Sequence, residues 1–456
     1  MVSIPRIVVA GTSSGVGKTT VATGLMAALA GRGLTVAGFK VGPDFIDPSY
    51  HALATGRPAR NLDAFLSGPD LVAPLFAHGA ASADVAVVEG VMGLFDGASG
   101  KGELASTAHV AKLLDAPVIL VVDAGAMARS VAAMVHGYAT FDPGLRVAGV
   151  VCNRVGSPGH AAILREALAP LGIPLLGTLP RDTALCSPSR HLGLVPVAER
   201  PTEARGMVAD LGGRIGAHID LDAVLALART APRVHCAAWV PLPGCAPGAP
   251  RRRVAVAGGP AFSFVYTENL ELLAAAGAEV APLDPTRDEA LPDGTRALYL
   301  GGGFPEAHAE ALSANAPLRA AVAAFDGPVV AECGGLLYLC RQLDGLPMCG
   351  VLDAQAAMTD RLVLGYREAE AASPSTLWRA GERLRGHEFH YSTVTPGAGA
   401  APGWRLPRTE GFVTGRVHAS YLHTHWAATP HVARRFLDAA ADEGGRVAHA
   451  GGWGSV

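Results

Sequence analysis

Two groups of residues in this chain suit two different chemistries. The first is Gly11-Thr12-Ser13-Ser14-Gly15-Val16-Gly17-Lys18-Thr19-Thr20. A glycine-rich turn between a strand and a helix points backbone N–H groups inward, and the helix N-terminus adds partial positive charge, so the segment suits a phosphate. Lys18 is expected to reach the outer phosphates, and Thr19 to offer its hydroxyl to Mg²⁺. The second group is Glu332-Cys333-Gly334-Gly335-Leu336, after the apolar run Val329-Val330-Ala331. A sharp strand-to-helix turn exposes a nucleophile and aims backbone N–H groups at a developing oxyanion. A helix starting there is expected to lower the thiol pKa. A single cysteine is more often a small buried residue. Three features favour chemistry instead: Gly334-Gly335, a second glycine-rich strand end at Leu300-Gly301-Gly302-Gly303-Phe304-Pro305-Glu306, and downstream histidines at 387, 390, 418, 423 and 425.

Carboxylates accompany the phosphate loop. Asp44 and Asp47 lie in Gly42-Pro43-Asp44-Phe45-Ile46-Asp47-Pro48, Glu89 in Val88-Glu89-Gly90, and Asp96 in Leu94-Phe95-Asp96-Gly97. They follow strand-like runs, where open α/β sheets gather ligands. A cation bridging phosphates wants oxygen donors, so Thr19 with Glu89 or Asp44 forms a candidate Mg²⁺ set.

These residues need a scaffold that delivers strand ends to one edge. Short β-branched runs alternate with alanine- and leucine-rich stretches, the pattern of a parallel sheet covered by helices. Strands are predicted at Ile7–Ala10, Thr35–Lys40, Val85–Val88, Val118–Val122, Val147–Cys152 and Leu175–Leu179. The first helix is predicted from Lys18, with Val21, Leu25 and Leu29 on one face and Gly31 and Gly33 as a stop. A second series has strands at Val254–Ala257, Glu279–Pro282, Ala297–Leu300 and Val329–Ala331, then a helix-like run over Leu336–Leu343. Further strand-like pieces surround Arg361–Tyr366, His387–Tyr391 and Gly411–Gly415. Between the series, prolines at 232, 241, 243, 247 and 250 deny helix and central strand. The expected organisation is an α/β chain of two domains: residues 1–232, a proline-rich linker over 233–252, and residues 253–456.

Bulk properties narrow the partners. The chain has 456 residues, too many for one ordinary core, and 50% are hydrophobic against 17% charged, as in a well-buried globular protein. A formal net charge of -3 without long charged runs gives no reason to expect nucleic acid or an anionic membrane as partner. The 7 cysteines show no Cys-x-x-Cys pair, which fits a reducing cytoplasm, and no apolar run approaches the length of a membrane span.

With these motifs in view, the chain is similar to known families. The phosphate loop has Thr12 where the usual pattern has glycine, and so resembles the longer loop of dethiobiotin synthetase and its amide-forming relatives. Ser13 stands where partition-type switch ATPases carry an extra lysine. Gly-Gly-Gly-Phe-Pro-Glu, Ala-Glu-Cys-Gly-Gly-Leu, Gly386-His387-Glu388-Phe389-His390 and Ser420-Tyr421-Leu422-His423 resemble the class I glutamine amidotransferase domain of corrinoid amidases. Together with the N-terminal motifs, the likeness to the corrinoid a,c-diamide synthase family, which acts on cobyrinic or hydrogenobyrinic acid, covers nearly the whole chain. It implies ATP as co-substrate, Mg²⁺ as cofactor, and glutamine and a corrinoid acid as substrates, with a homodimer left open. It implies Cys333 as nucleophile and His423 as base. It implies a nucleotide site at Thr12, Gly15, Val16, Gly17, Lys18, Thr19 and Asn153, the last reading adenine, and substrate handling at Asp44, Phe45, Ile46, Asp47, Tyr50 and Asp96. Ordinary class I enzymes carry a glutamate two residues after the base, where this chain has His425. The residue that orients His423 is therefore not evident, and strand alternation puts His423 and His425 on one face. Cobyric acid synthase is the nearest rival, although its histidine-strand segment runs differently. A P-loop switch ATPase with a degenerate cysteine-hydrolase domain is disfavoured by Ser13 and by Cys333 with His423.

Overall fold

The computed structural model describes residues 3–181, 189–190, 193–241 and 251–441. The first half forms a sheet of β1 (Arg6–Gly11), β2 (Val36–Val41), β3 (Arg60–Leu62), β4 (Val85–Glu89), β5 (Val118–Asp123), β6 (Val147–Val155) and β7 (Leu175–Pro180), in the order β3-β2-β4-β1-β5-β6-β7. Every neighbouring pair is parallel. Each β1 residue is buried, as expected of a central strand covered on both faces. Strand order reverses at β1, so its C-terminal end opens on the crevice where such sheets bind ligands.

Helix α1 (Lys18–Gly31) leaves that crevice with Val21, Leu25 and Leu29 buried. At Gly24 it meets the helix Pro201–His218 so closely that a Cβ would lie 2.3 Å from Ile215 Cγ1. The loop after β2 leads into α2 (Ile46–Thr55), and α3 (Pro69–Gly79) follows β3.

The second half holds two sheets. Strands Ala278–Leu283, Arg252–Ala257, Thr295–Leu300, Val329–Glu332, Val417–Ser420 and Phe412–Thr414 lie side by side in that order. All neighbours are parallel except the last pair. In the other sheet Gln355–Ala371 pairs antiparallel with Arg383–Thr395, which pairs with His423–Thr424. The helical expectation over Leu336–Leu343 is half right. A six-residue helix covers Gly334–Leu339, but Gln342–Leu343 is a strand, because its backbone pairs with Leu346–Pro347 and Gln355–Ala356.

Of the expected linker, residues 242–250 lie outside the described part, as do Cys186 and Cys245. Before that gap, Trp239 is buried against α3, its N–H donating to the Pro74 carbonyl and its ring edge-on to His78. The halves are bound by charge as well. Arg60, at the start of β3, donates to Glu268 (2.8 Å) and in fork geometry to Glu271 (2.5 and 3.0 Å), both on the helix Thr267–Ala275. Tyr366 donates to Asp63 (2.8 Å). The described cysteines are free thiols, and no described helix is long and apolar enough to cross a membrane.

Candidate functional site

The phosphate loop joins β1 to α1 through Gly15 (φ 77°) and Gly17 (φ 100°), both left-handed conformations that side chains disfavour. Gly17 is also sterically required, since a Cβ there would lie 2.2 Å from the Asn153 amide nitrogen. That amide donates to the Val16 carbonyl (2.9 Å), and the Asn153 carbonyl oxygen accepts from Arg154 N–H (2.9 Å). Asn153 thus braces the loop from the neighbouring strand β6. Thr12 is fixed by Tyr138, whose hydroxyl donates to its carbonyl (2.5 Å). Lys18 folds back over the loop and donates to the Ser13 carbonyl (3.0 Å). Burial and the neighbouring Lys40 bring its pKa down to about 8.

Beside the loop is a buried ionic cluster that sequence reading only partly located. Lys40, at the end of β2, donates to Asp47 (2.6 Å), Glu89 (2.8 Å) and the Gly90 carbonyl (3.1 Å). Thr19 donates to Glu89 (2.6 Å), and its hydroxyl lies 3.4 Å from Asp47. His51 Nε2 is 2.6 Å from the second Glu89 oxygen. Burial would lower the Lys40 pKa, but Asp47 and Glu89 reverse this and push it up. Burial pushes Asp47 well up, aided by the charges of Asp44 and Glu89. Two carboxylates, Asp47 and Glu89, thus share the one ammonium of Lys40.

The carboxylate beside Thr19 and Glu89 is Asp47, not Asp44. Asp44 turns back to accept from its own loop, from Ile46 N–H (2.7 Å) and Asp47 N–H (3.4 Å), because it caps the entry to α2. Among the described residues no three His, Cys, Asp or Glu side chains form a metal cage. Mg²⁺ fits without one, since it takes one or two protein oxygens and completes its shell with water and phosphate. Thr19, Glu89 and Asp47 offer such oxygens side by side.

The remaining candidates divide. Ile46 and Tyr50 point into the core, and the Tyr50 hydroxyl donates to the Val195 carbonyl (2.7 Å). Packing claims these two, not an open wall. Asp96 is exposed near the loop and accepts from Gly93 N–H (2.9 Å). Phe45 leaves its own domain: its ring lies 4.5 Å from Tyr266, 5.2 Å from Phe264, 5.8 Å from His387 and 5.2 Å from His423.

At the second site Cys333 ends the strand Val329–Glu332 with φ 48° and ψ -99°, a strained conformation for a non-glycine residue. Its N–H donates to the Ser420 carbonyl (2.8 Å). The following glycines permit close approach: a Cβ on Gly335 would lie 2.1 Å from the Leu300 carbonyl oxygen, and one on Gly334 would lie 3.0 Å from Gly303 N. Gly334 thus packs against the Gly303 backbone, and its N–H donates to the thiol, which makes the amides of Gly303 and Gly334 candidates for receiving an oxyanion. The expected lowering of the thiol pKa is not seen. Burial pushes the Cys333 thiol up, assisted by the negative charge of Glu306, and a six-residue helix does not offset this.

His423 is 1% exposed. Its Cε1 packs on Gly302, where a Cβ would come within 2.4 Å, and its ring stacks on His387 at 4.8 Å. Burial first, then His390, lowers its pKa to about 3, so the imidazole is neutral and able to accept a proton. His425 goes elsewhere. The strand His423–Thr424 ends before it, so alternation fails, and His425 lies 3.4 Å from Glu268 with its ring 4.7 Å from Tyr266. His390 stacks on Tyr421 at 3.7 Å, and His418 sits edge-on to Trp404 at 5.0 Å.

Sequence reading missed Lys40 and Glu332. Lys40 carried a weak signal, a charged residue ending an apolar strand just before Gly42-Pro43-Asp44. Glu332 carried none beyond adjacency to the cysteine.

Two family models match separate parts of the chain. Residues 7–195 match the family model of the CobQ/CobB/MinD/ParA nucleotide binding domain, and residues 253–431 that of the CobB/CobQ-like glutamine amidotransferase domain. The chain is 60% identical to a hydrogenobyrinate a,c-diamide synthase of Streptomyces coelicolor, over 96% of this chain and 97% of that one. It is 52% identical to the enzyme of that name from Thermobifida fusca, over 96% and 97%. It is 45% identical to a cobyrinate a,c-diamide synthase of Syntrophotalea carbinolica, over 96% and 98%.

Proposed function

The chain belongs to the corrinoid a,c-diamide synthase family, and from that premise we propose that it uses ATP and glutamine to amidate the a and c acetate carboxylates of hydrogenobyrinate. Metal-free hydrogenobyrinate is preferred over cobyrinate because the relatives named for it are the more similar, at 60% and 52% against 45% identity. Assaying both ring forms side by side tests this: faster turnover of the cobalt ring would reverse the assignment.

One observation carries the coupling of the two chemistries. The Gly42–Asp47 loop touches both sites, with Asp47 bonded into the Lys40 and Thr19 cluster and Phe45 packed 5.2 Å from the His423 ring. A carboxylate resists ammonia because its leaving group is oxide. Transfer of the ATP γ-phosphoryl group to it makes an acyl phosphate with a good leaving group. Lys18, freed from the Ser13 carbonyl, would hold the γ-phosphate, and Lys40 would balance carboxylate charge beside the acceptor. Mg²⁺ held by Thr19, Glu89 and Asp47 would supply charge neutralisation to the phosphates.

In the other domain Cys333 gives its proton to His423 as its sulfur attacks the glutamine side-chain amide. The amides of Gly303 and Gly334 would receive the oxyanion, and His423 then protonates the leaving ammonia. Water resolves the thioester, releasing glutamate. Ammonia must reach the acyl phosphate unprotonated. The apolar ring cluster of Phe45, Phe264 and Tyr266 between the sites supports a sheltered path.

The division of labour is tested by Cys333→Ala. Glutamine-dependent amidation is expected to disappear while ammonia-dependent amidation continues; loss of both in a folded protein would overturn it.

A further inference from the structure

His423 lacks the carboxylate that normally stands two residues beyond such a base, since His425 holds that position and faces Glu268. Its Nδ1 is buried and makes no hydrogen bond. The imidazolium formed when the thiol proton arrives would then carry an unpaired N–H in a dry site, a costly arrangement. Close to that nitrogen lies the residue preceding the nucleophile: Glu332 Oε2 is 4.0 Å from His423 Nδ1.

Glu332 is 4% exposed and held from several elements. Its Oε1 accepts from Thr424 N–H (3.2 Å) and from the Thr424 hydroxyl (2.6 Å), while Oε2 accepts from the Tyr299 hydroxyl (3.2 Å). Thr424 is itself fixed by Trp426, whose indole N–H donates to its hydroxyl (2.9 Å), and Tyr299 receives from the Asn269 amide (3.1 Å). The carboxylate is thus anchored through three hydrogen bonds and keeps Oε2 near the histidine. The opposite edge of the imidazole, with Cε1 and Nε2, lies against Gly302 at the strand end beside the nucleophile turn.

We infer that Glu332 is the positioning carboxylate of glutamine hydrolysis, accepting the Nδ1–H of His423 and stabilising its imidazolium. The inference rests on His423 being the base. The Cys333 proton moves to His423 Nε2 as the sulfur–carbon bond forms, Nδ1–H turns to Glu332, and the Nε2 proton leaves with ammonia. Glu332 gains no proton over the cycle. The 4.0 Å gap is longer than a hydrogen bond, as is common before substrate tightens such a site. A nucleophile and its orienting carboxylate are then adjacent in sequence, and the strand that delivers one delivers the other.

The groups around this carboxyl are Tyr299, Tyr266, Cys333 and His423; burial pushes its pKa up to about 7. Its charge is present above that pH and lost below it, so glutaminase activity should fall as pH drops through about 7. Glu332→Gln keeps the shape and removes the charge. At pH 8 its glutaminase kcat is expected to fall about 100-fold or more, with the KM for glutamine little changed and the limb near pH 7 abolished. Ammonia-dependent amidation, which bypasses Cys333, reports that the protein is folded. A glutaminase rate within threefold of the parent, or a uniform loss with the limb unmoved, would overturn the inference. Thr424→Val gives a second measurement, because loss of its hydroxyl disfavours the carboxylate and should move the limb to higher pH; an unmoved limb counts against the inference. His423→Asn separates the two levels. If that variant still hydrolyses glutamine, the base assignment itself fails; if it is inactive while Glu332→Gln is normal, only the role of Glu332 fails.

Discussion

Replacing Arg60 with methionine should weaken the joint between the two domains by about 3 kcal/mol at pH 7. Arg60 is 8% exposed and Glu268 is 1% exposed, so their 2.8 Å contact is a buried ion pair across the interface. Glu271 is 28% exposed and has His78 as a second partner at 2.9 Å, so it suffers less. Burial alone would raise the Glu268 pKa; His425 and Arg60 overcome this and hold it at about 2. That depression is shared with His425, the larger contributor, so it sets the sign of the Arg60 effect and not its size. The size follows from the loss expected on removing one partner of a buried pair, about 3–5 kcal/mol. The sign follows from the depressed pKa: the stabilisation is present above pH 4.5 and lost as pH falls toward 2. The gap between parent and Arg60→Met should therefore narrow on acidification, as Glu268 of the variant takes up a proton. Equilibrium urea denaturation followed by tryptophan fluorescence reads this, because Trp239 is buried at the α3 surface and Trp378, Trp404 and Trp426 in the other domain. Adding Glu268→Gln should restore at least half of the loss by removing the unpaired charge. A cost below about 1 kcal/mol, or a double variant no more stable than Arg60→Met, would refute the buried-pair argument.

Two further outcomes concern activity. Lys18→Ala should abolish ATP-dependent amidation while leaving some glutaminase; amidation at the parent rate would show the loop to be idle. Because the Lys18 pKa is lowered to about 8 in the free protein, ATP binding at pH 8 to 9 should take up a proton, visible by calorimetry in buffers of differing ionisation heat and absent in Lys18→Ala. Phe45→Ala opens the ring cluster between the sites, so glutamate release should exceed amide formation severalfold. A product ratio unchanged from the parent would exclude Phe45 from coupling.

Much was legible before any coordinates. The phosphate loop is contiguous, its glycines meet local backbone demands, and the strand and helix around it carry opposite hydrophobic periods. The strands of the first sheet other than the short β3 (Arg60–Leu62), and the strand before Cys333, could be read from apolar, β-branched runs, the central ones buried on both faces. Local chemistry also marked Cys333, since Gly334 and Gly335 are required wherever backbone approaches a turn this closely.

What the linear order withheld were relations between distant segments in a low-dielectric interior. Asp44 and Asp47 are equal in sequence, and only the start of α2 turns the first into a cap and the second toward Thr19 and Glu89. The Cys333 pKa depends on burial and neighbouring carboxylates, which no motif states, and both outweigh one short helix. His423 and His425 share a face only while a strand continues; this one ends after Thr424, sending the second histidine to Glu268. The sequence by itself determined two chemistries, the fold class and the nucleophile, because each rests on contiguous residues and a repeating period. Tertiary structure alone decided how Phe45 meets His423 and how Glu332 comes to face it, because burial strips away water and leaves each polar group only the partners that the fold delivers.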